Sequence, residues 1–148
     1  MATFERSVHL PCPPSVAFNL HLDPNNLIAL SPPNMHTTII SCRLPLHEGS
    51  VIALDVKRWG LSQLWEVEIL TLKPDTLLVD RALQSPFGAW RHEHRFEPEG
   101  AGTRMTDSIE FKPPFGVVGY LAMPLIRREL NQLFIWRHQK TLALIKKH

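Results

Sequence analysis

The 148-residue chain carries 16 basic and 14 acidic side chains, a formal charge of +2, with 44% hydrophobic and 20% charged residues. That balance excludes disorder, and a chain of this length buries roughly two-thirds of its unfolded surface, enough for one core without metal or disulfide staples. The charges are dispersed, which argues against a nucleic-acid footprint, and no apolar run reaches the roughly 18–20 residues of a membrane span.

Ala2 to Leu10 alternates Phe4, Arg6, Val8 and Leu10 with Thr3, Glu5, Ser7 and His9, the period of a strand rather than of a secretion signal. Pro11, Pro13 and Pro14 stop it. A short helix follows, with Val16, Ala17 and Leu20 on one face. Asp23-Pro24 supplies an N-cap and a first-turn proline for a second short helix, which Ser31-Pro32-Pro33 ends. Cys12 and Cys42 have neither metal nor redox spacing, so reduced thiols and a cytoplasmic location are expected.

From Met35 the period becomes two. Runs at 35–43, 51–59, 63–72, 76–84, 87–96 and 103–111 are separated by short turn signals, the last of them Gly100-Ala101-Gly102. No helix of crossover length lies between them, so the strands form an antiparallel meander. Pro113-Pro114-Phe115-Gly116 marks a corner, and Pro124 separates a short turn from the main helix or kinks it. Beyond it Ile126, Leu130, Leu133, Phe134, Arg137, Thr141, Leu144 and Ile145 form a helical stripe, ending in the cationic Lys146-Lys147-His148. The expectation is a single α+β domain over residues 1–148. It has a curved seven-stranded antiparallel sheet around a long C-terminal helix, with two short helices after the first strand.

This order resembles the helix-grip fold of the START-related, birch-pollen-allergen-like SRPBCC superfamily, and in wording its bacterial polyketide-cyclase-like members. The resemblance covers essentially the whole chain. It rests on Asp23-Pro24-Asn25-Asn26-Leu27 with Leu30-Ser31-Pro32, on Trp65-Glu66-Val67-Glu68-Ile69, and on Pro86-Phe87. It continues through Trp90-x-His92-x-His94-x-Phe96, Gly102-Thr103-x-Met105-x-Asp107 and Pro114-Phe115-Gly116. Ser85 replaces a glycine that often precedes Pro-Phe, and Ala82 a common glutamine. The resemblance implies a hydrophobic ligand (lipid, polyketide, isoprenoid or aromatic metabolite) in a cavity between sheet and helix, entered near the second short helix and Pro86-Phe87. Such a fold hosts carriers, receptors and cyclases alike.

Strand alternation puts Trp90, His92, His94 and Phe96 on one face, and Met105, Asp107, Ile109 and Phe111 on one face of the next strand. The opposite faces carry Arg91, Glu93 and Arg95, and Arg104, Thr106, Ser108 and Glu110, so the first set points inward. With Phe96 opposite Thr103, His94 faces Met105, His92 faces Asp107 and Trp90 faces Ile109. Three readings stay open. His92 and Asp107 satisfy each other and fix register; or they touch ligand, with His92 as acid/base of a cyclase, aromatase or dehydratase and Asp107 orienting it; or His92-x-His94 with Asp107 holds zinc, although such a site needs three converging ligands and no thiolate is at hand. No metal or cofactor is assigned. The lining is assigned to Trp65, Trp90, Phe96, Met105, Ile109, Leu130 and Phe134, with polar contacts from His92, His94 and Asp107. Asp80 is placed inward as a second acid, and Arg137 either reaches the rim, meets Asp80 or binds an anionic head group. Trp136 falls off the stripe, where it covers a sheet edge or a partner. Lone histidines such as His21, His36 and His138 carry no motif. The partner is a small hydrophobic molecule, with a weak homodimer left open.

Overall fold

A computed structural model describes residues 1–146; Lys146 closes the last helix, while Lys147 and His148 of the cationic end lie outside the described residues. The strands are β1 (Ala2–Leu10), β2 (His36–Ser41), β3 (Val51–Arg58), β4 (Leu61–Lys73), β5 (Leu77–Gln84), β6 (Ala89–Glu99) and β7 (Gly102–Lys112). The helices are α1 (Pro14–Leu22), α2 (Pro24–Ala29), α3 (Gly116–Leu121) and α4 (Met123–Lys146). All strands pair antiparallel in the order β1-β7-β6-β5-β4-β3-β2. The helices α1 and α2 therefore carry the chain from one sheet edge to the other.

Asp23 starts α2 as the sequence suggests, its carboxylate accepting from the Asn25 N–H at 3.0 Å ahead of first-turn Pro24. The β4–β5 register slips at Glu66/Val67 and again at Ile69/Thr71, and such bulges bend and twist a strand. The bent sheet wraps α4, a 24-residue helix about 36 Å long. Leu130, Phe134, His138, Thr141 and Ile145 are its buried residues, at steps of three and four. Pro124 sits in its first turn, where a missing N–H costs nothing, and the short turn expected before it is the separate helix α3.

The last hairpin corrects the expected register by two residues. Phe96 pairs with Met105, His94 with Asp107, His92 with Ile109 and Trp90 with Phe111. The loop is only Gly100-Ala101, with Gly100 at φ 59°, and Gly102 already pairs with Glu99. Position 102 requires glycine, because a Cβ there would lie 2.3 Å from the Leu10 carbonyl oxygen on the adjoining β1.

Two apolar clusters fill the space between sheet and helices. One gathers Leu10, Ala17, Phe18, Ile69, Leu78, Phe96, Met105 and Ile145. The other gathers Ile109, Phe111, Leu130 and Phe134, flanked by Phe4, Phe87 and Trp90. Cys12 and Cys42 are free thiols.

Candidate functional site

Between those clusters the inward positions turn polar at one level across several elements. Along β6 the sequence of inward residues is Phe96, His94, His92, Trp90; along β7 it is Met105, Asp107, Ile109. On β5 Asp80 follows Leu78, and on α4 Arg137 and His138 lie between Phe134 and Thr141. At the end of α1, His21 reaches the same layer, its ring 5.8 Å from that of His94.

Asp107 is the hub and is 3% exposed. Its Oδ1 lies 2.7 Å from His92 Nε2 and its Oδ2 2.6 Å from His138 Nε2, each ring N–H donating to the carboxylate. His94 Nδ1 stands 3.1 Å from Oδ1 without the alignment of a hydrogen bond, and its Nε2 is 3.3 Å from Asp80 Oδ2. Antiparallel pairing sets Asp80 directly across from His92 and Asp107 directly across from His94, so each imidazole bonds the diagonal carboxylate. The two rings stack at 3.8 Å between centroids, 30° apart in plane.

Burial and neighbours drive these groups apart in proton affinity. Burial would raise Asp107, yet the contacts from His138, His92 and His94 hold it well below the usual carboxylate range. Burial opposes charge on His94, but its contacts with Asp107 and Asp80 outweigh that and raise it to about 9. His92 is lowered, by burial first and the neighbouring His94 charge second. His21 is lowered to about 4 by burial and by His94, with Nδ1–H donating to the Ala17 carbonyl at 2.8 Å. Around neutral pH the layer then holds an ionised Asp107 beside an imidazolium at His94, with His92 and His21 neutral.

The expected site residues all face inward but are not one patch. Trp65, Trp90, Ile109, Leu130 and Phe134 lie on one side of the polar layer, Phe96 and Met105 on the other. Trp65 and Trp90 pack edge to face at 5.3 Å, and Phe87 lies 4.8 Å from Trp90. Arg137 is half-buried over the Phe134 ring at 5.2 Å, its Nε without a hydrogen bond among the described residues; it forms no hydrogen bond with Asp80. Asp80 faces inward beside His94. His138 and His21 belong to the layer although neither carries a motif. His138 had a usable signal, being four residues beyond Phe134 and three before Thr141 on the buried stripe.

Two solvent-open hollows mark the surface. One, about 170 Å³, lies along α4 against Trp136, Gln139, Lys140 and Ala143. The other, about 260 Å³, is lined by Gln63, Leu64, Gln84, Ser85 and Pro86. Neither touches the polar layer, where the sequence places a cavity; there the His92 and Phe134 rings meet edge to face at 5.4 Å. For metals, Asp80, His92 and His94 each bring one donor atom within 4.8 Å of the others. No helix among the described residues is long and apolar enough to cross a membrane.

The sequence profile of a family described as polyketide cyclase/dehydrase and lipid transport matches residues 1–135. No curated protein matches the chain. Among solved structures, a protein from Chromobacterium violaceum superposes with a TM-score of 0.78 at 14% identity, covering 97% of this chain and 96% of that one. A START superfamily protein from Mycobacterium smegmatis gives 0.73 at 13% identity over 98% and 97% of the two chains. Ara h 8.0201 gives 0.70 at 14% identity over 99% of each. At such identities the likeness is one of fold, and it is the helix-grip fold that the sequence suggests.

Proposed function

The chain belongs to the polyketide cyclase/dehydrase and lipid-transport family, and on that premise we propose that it binds a small, mostly apolar molecule between the sheet and α4. The observation that carries this reading is the polar layer itself. Seven ionisable side chains converge between two apolar clusters, and a few convergent polar groups in an apolar setting are the ordinary make-up of a small-molecule site. A lipid, polyketide, isoprenoid or aromatic metabolite bearing a carbonyl or hydroxyl would lay its carbon skeleton along Trp65, Trp90, Ile109, Leu130 and Phe134. Its oxygen would meet His92, His94, Asp107 or Asp80, and Arg137 would take an anionic group.

Ordinary ligand pockets occupy about 300–1,000 Å³, so entry requires the interior to open. The hollow beside Ser85 and Pro86 is the proposed approach. Phe87 follows directly and packs on Trp65 and Trp90, and Trp90 in turn stands against His92 at 6.5 Å. Rotation of this aromatic group would join the hollow to the layer.

A second reading, a cyclase, aromatase or dehydratase, draws on the divergent proton affinities. His92 neutral beside an ionised Asp107 is a base held in one orientation, and His94 as imidazolium is an acid two residues away. His92 would take a proton from an enolisable carbon while His94 supports the developing enolate oxygen.

Native mass spectrometry of protein purified from its own cells tests the first reading. A stoichiometric organic adduct, weakened more by Trp90→Ala than by His92→Ala, supports a carrier. Turnover of the adduct's parent compound that His92→Ala abolishes with affinity retained supports the enzyme. Protein free of any adduct, and indifferent to a panel of polyketide, isoprenoid and fatty-acid probes, would sink both.

A further inference from the structure

We propose that Asp80, His92 and His94 form a binding site for one divalent transition-metal ion of the zinc type, with Asp107 as the outer carboxylate that orients both imidazoles. The strand geometry supplies the ligands. Asp80 lies directly across from His92 on the paired strand, and His94 is the next inward residue of β6. One donor atom from each of the three lies within 4.8 Å of one from each of the others. The 3.3 Å between His94 Nε2 and Asp80 Oδ2 is close to the edge of a tetrahedron whose bonds are about 2.0–2.1 Å.

The ring nitrogens divide between two tasks. Asp107 Oδ1 takes one nitrogen from each ring, His92 Nε2 at 2.7 Å and His94 Nδ1 at 3.1 Å. His92 Nδ1 thereby keeps its lone pair for an ion, and His94 Nε2, 3.3 Å from Asp80 Oδ2, offers one when its proton leaves. A ligating histidine generally gives its other N–H to a carboxylate, which fixes its tautomer. The Asp107 carboxylate is itself held on its far oxygen by His138 Nε2 at 2.6 Å. His94 Nδ1 is buried and has no aligned hydrogen bond among the described residues, and it acquires a donor role towards Asp107 once an ion occupies Nε2.

Charge permits the exchange. An ion at this point replaces the proton on His94, which leaves as the metal enters. Asp80 and Asp107 then face the dication and Arg137, with His21 and His138 as the other titratable groups around the layer. Two imidazoles and one carboxylate suit zinc and its first-row neighbours and leave a position open for water or an oxygen ligand. The side chains of His94 and Asp80 retain 13% and 18% exposure, which brings solvent to the edge of the site. Ion binding is read with no organic ligand present; its failure leaves the ligand-binding reading standing, and the converse holds.

The full chain, first stripped with a chelator, is titrated with Zn²⁺ by calorimetry and with Co²⁺ by visible absorption. One ion per chain is expected, with the d–d bands of low-symmetry Co²⁺. Asp80→Asn and His94→Gln should each weaken Zn²⁺ at least tenfold, and Asp107→Asn by about 10–100-fold with altered Co²⁺ bands. His36→Gln should change nothing. Absence of saturable binding in the wild type, or unchanged affinity in Asp80→Asn, overturns the site. Imidazole ¹⁵N spectra of the wild type make the test independent of variant folding. Zn²⁺ must move the His92 and His94 resonances; movement confined to His36 and His47 would also overturn it.

Discussion

The two apolar clusters and the layer between them use the same strands in opposite ways. Phe96 and Met105 are a cross-strand pair, as are His94 and Asp107 two residues further on, and all four are inward-facing. The first pair gains from leaving water. The second loses hydration on two ionisable groups and recovers it only through close, well-placed partners. Replacing buried ion pairs by apolar side chains of similar volume is often neutral or stabilising. The layer thus carries a desolvation cost that the clusters do not, as the proposed site would.

Phe134→Ala and Asp107→Ala probe that contrast most strongly. Each should cost about 3–5 kcal/mol in denaturant unfolding, the first by opening a cavity and the second by leaving buried charge unpaired. They should differ with pH. The Phe134→Ala loss should be the same at pH 6.5 and 9.5, while the Asp107→Ala loss should shrink at the higher pH, where His94 is no longer charged. Equal pH behaviour would erase the distinction between the regions.

The wild-type stability profile gives the next effect. His94 is raised to about 9 in the folded chain, so its contribution is complete below its unfolded value of about 6.5 and is lost as pH climbs through 9. His21 is lowered to about 4, so folding disfavours its proton and stability declines as pH falls from about 6.5 towards 4. Stability should peak near neutrality, and His94→Gln should flatten the alkaline limb.

Thr103→Val is a smaller probe on the apolar side. The buried Thr103 hydroxyl donates to the Cys12 carbonyl at 2.8 Å, and its loss should cost about 1–3 kcal/mol at every pH. Least of all, Leu121→Ser on α3, where the side chain is 80% exposed, should stay within about 0.5 kcal/mol.

The inward faces were legible from the sequence because alternation reports them directly. The register was not. A shift of two residues leaves every side chain on its own face, so pattern alone cannot choose between Thr103 and Met105 as the partner of Phe96. The His92–Asp107 bond expected from the wrong register still forms, since at the true register they are diagonal neighbours within reach of an imidazole. His138 escaped notice because a single histidine has no motif, although its helical spacing from Phe134 and Thr141 places it on the buried stripe. His21 offered only its four-residue spacing from Ala17. The closeness of packing around His92 and Phe134 depends on side-chain volumes across three elements, which no local period encodes.

The central claim is that the layer holds His94 as an imidazolium and His92 as a neutral imidazole on a shared, ionised Asp107. An NMR titration of the histidine rings in the metal-free wild type measures this directly. His94 should titrate near 9, and His92 should stay neutral below its ordinary value of about 6.5. If both rings titrate together near that ordinary value, as solvated histidines do, the layer is not the buried, charge-paired site described above.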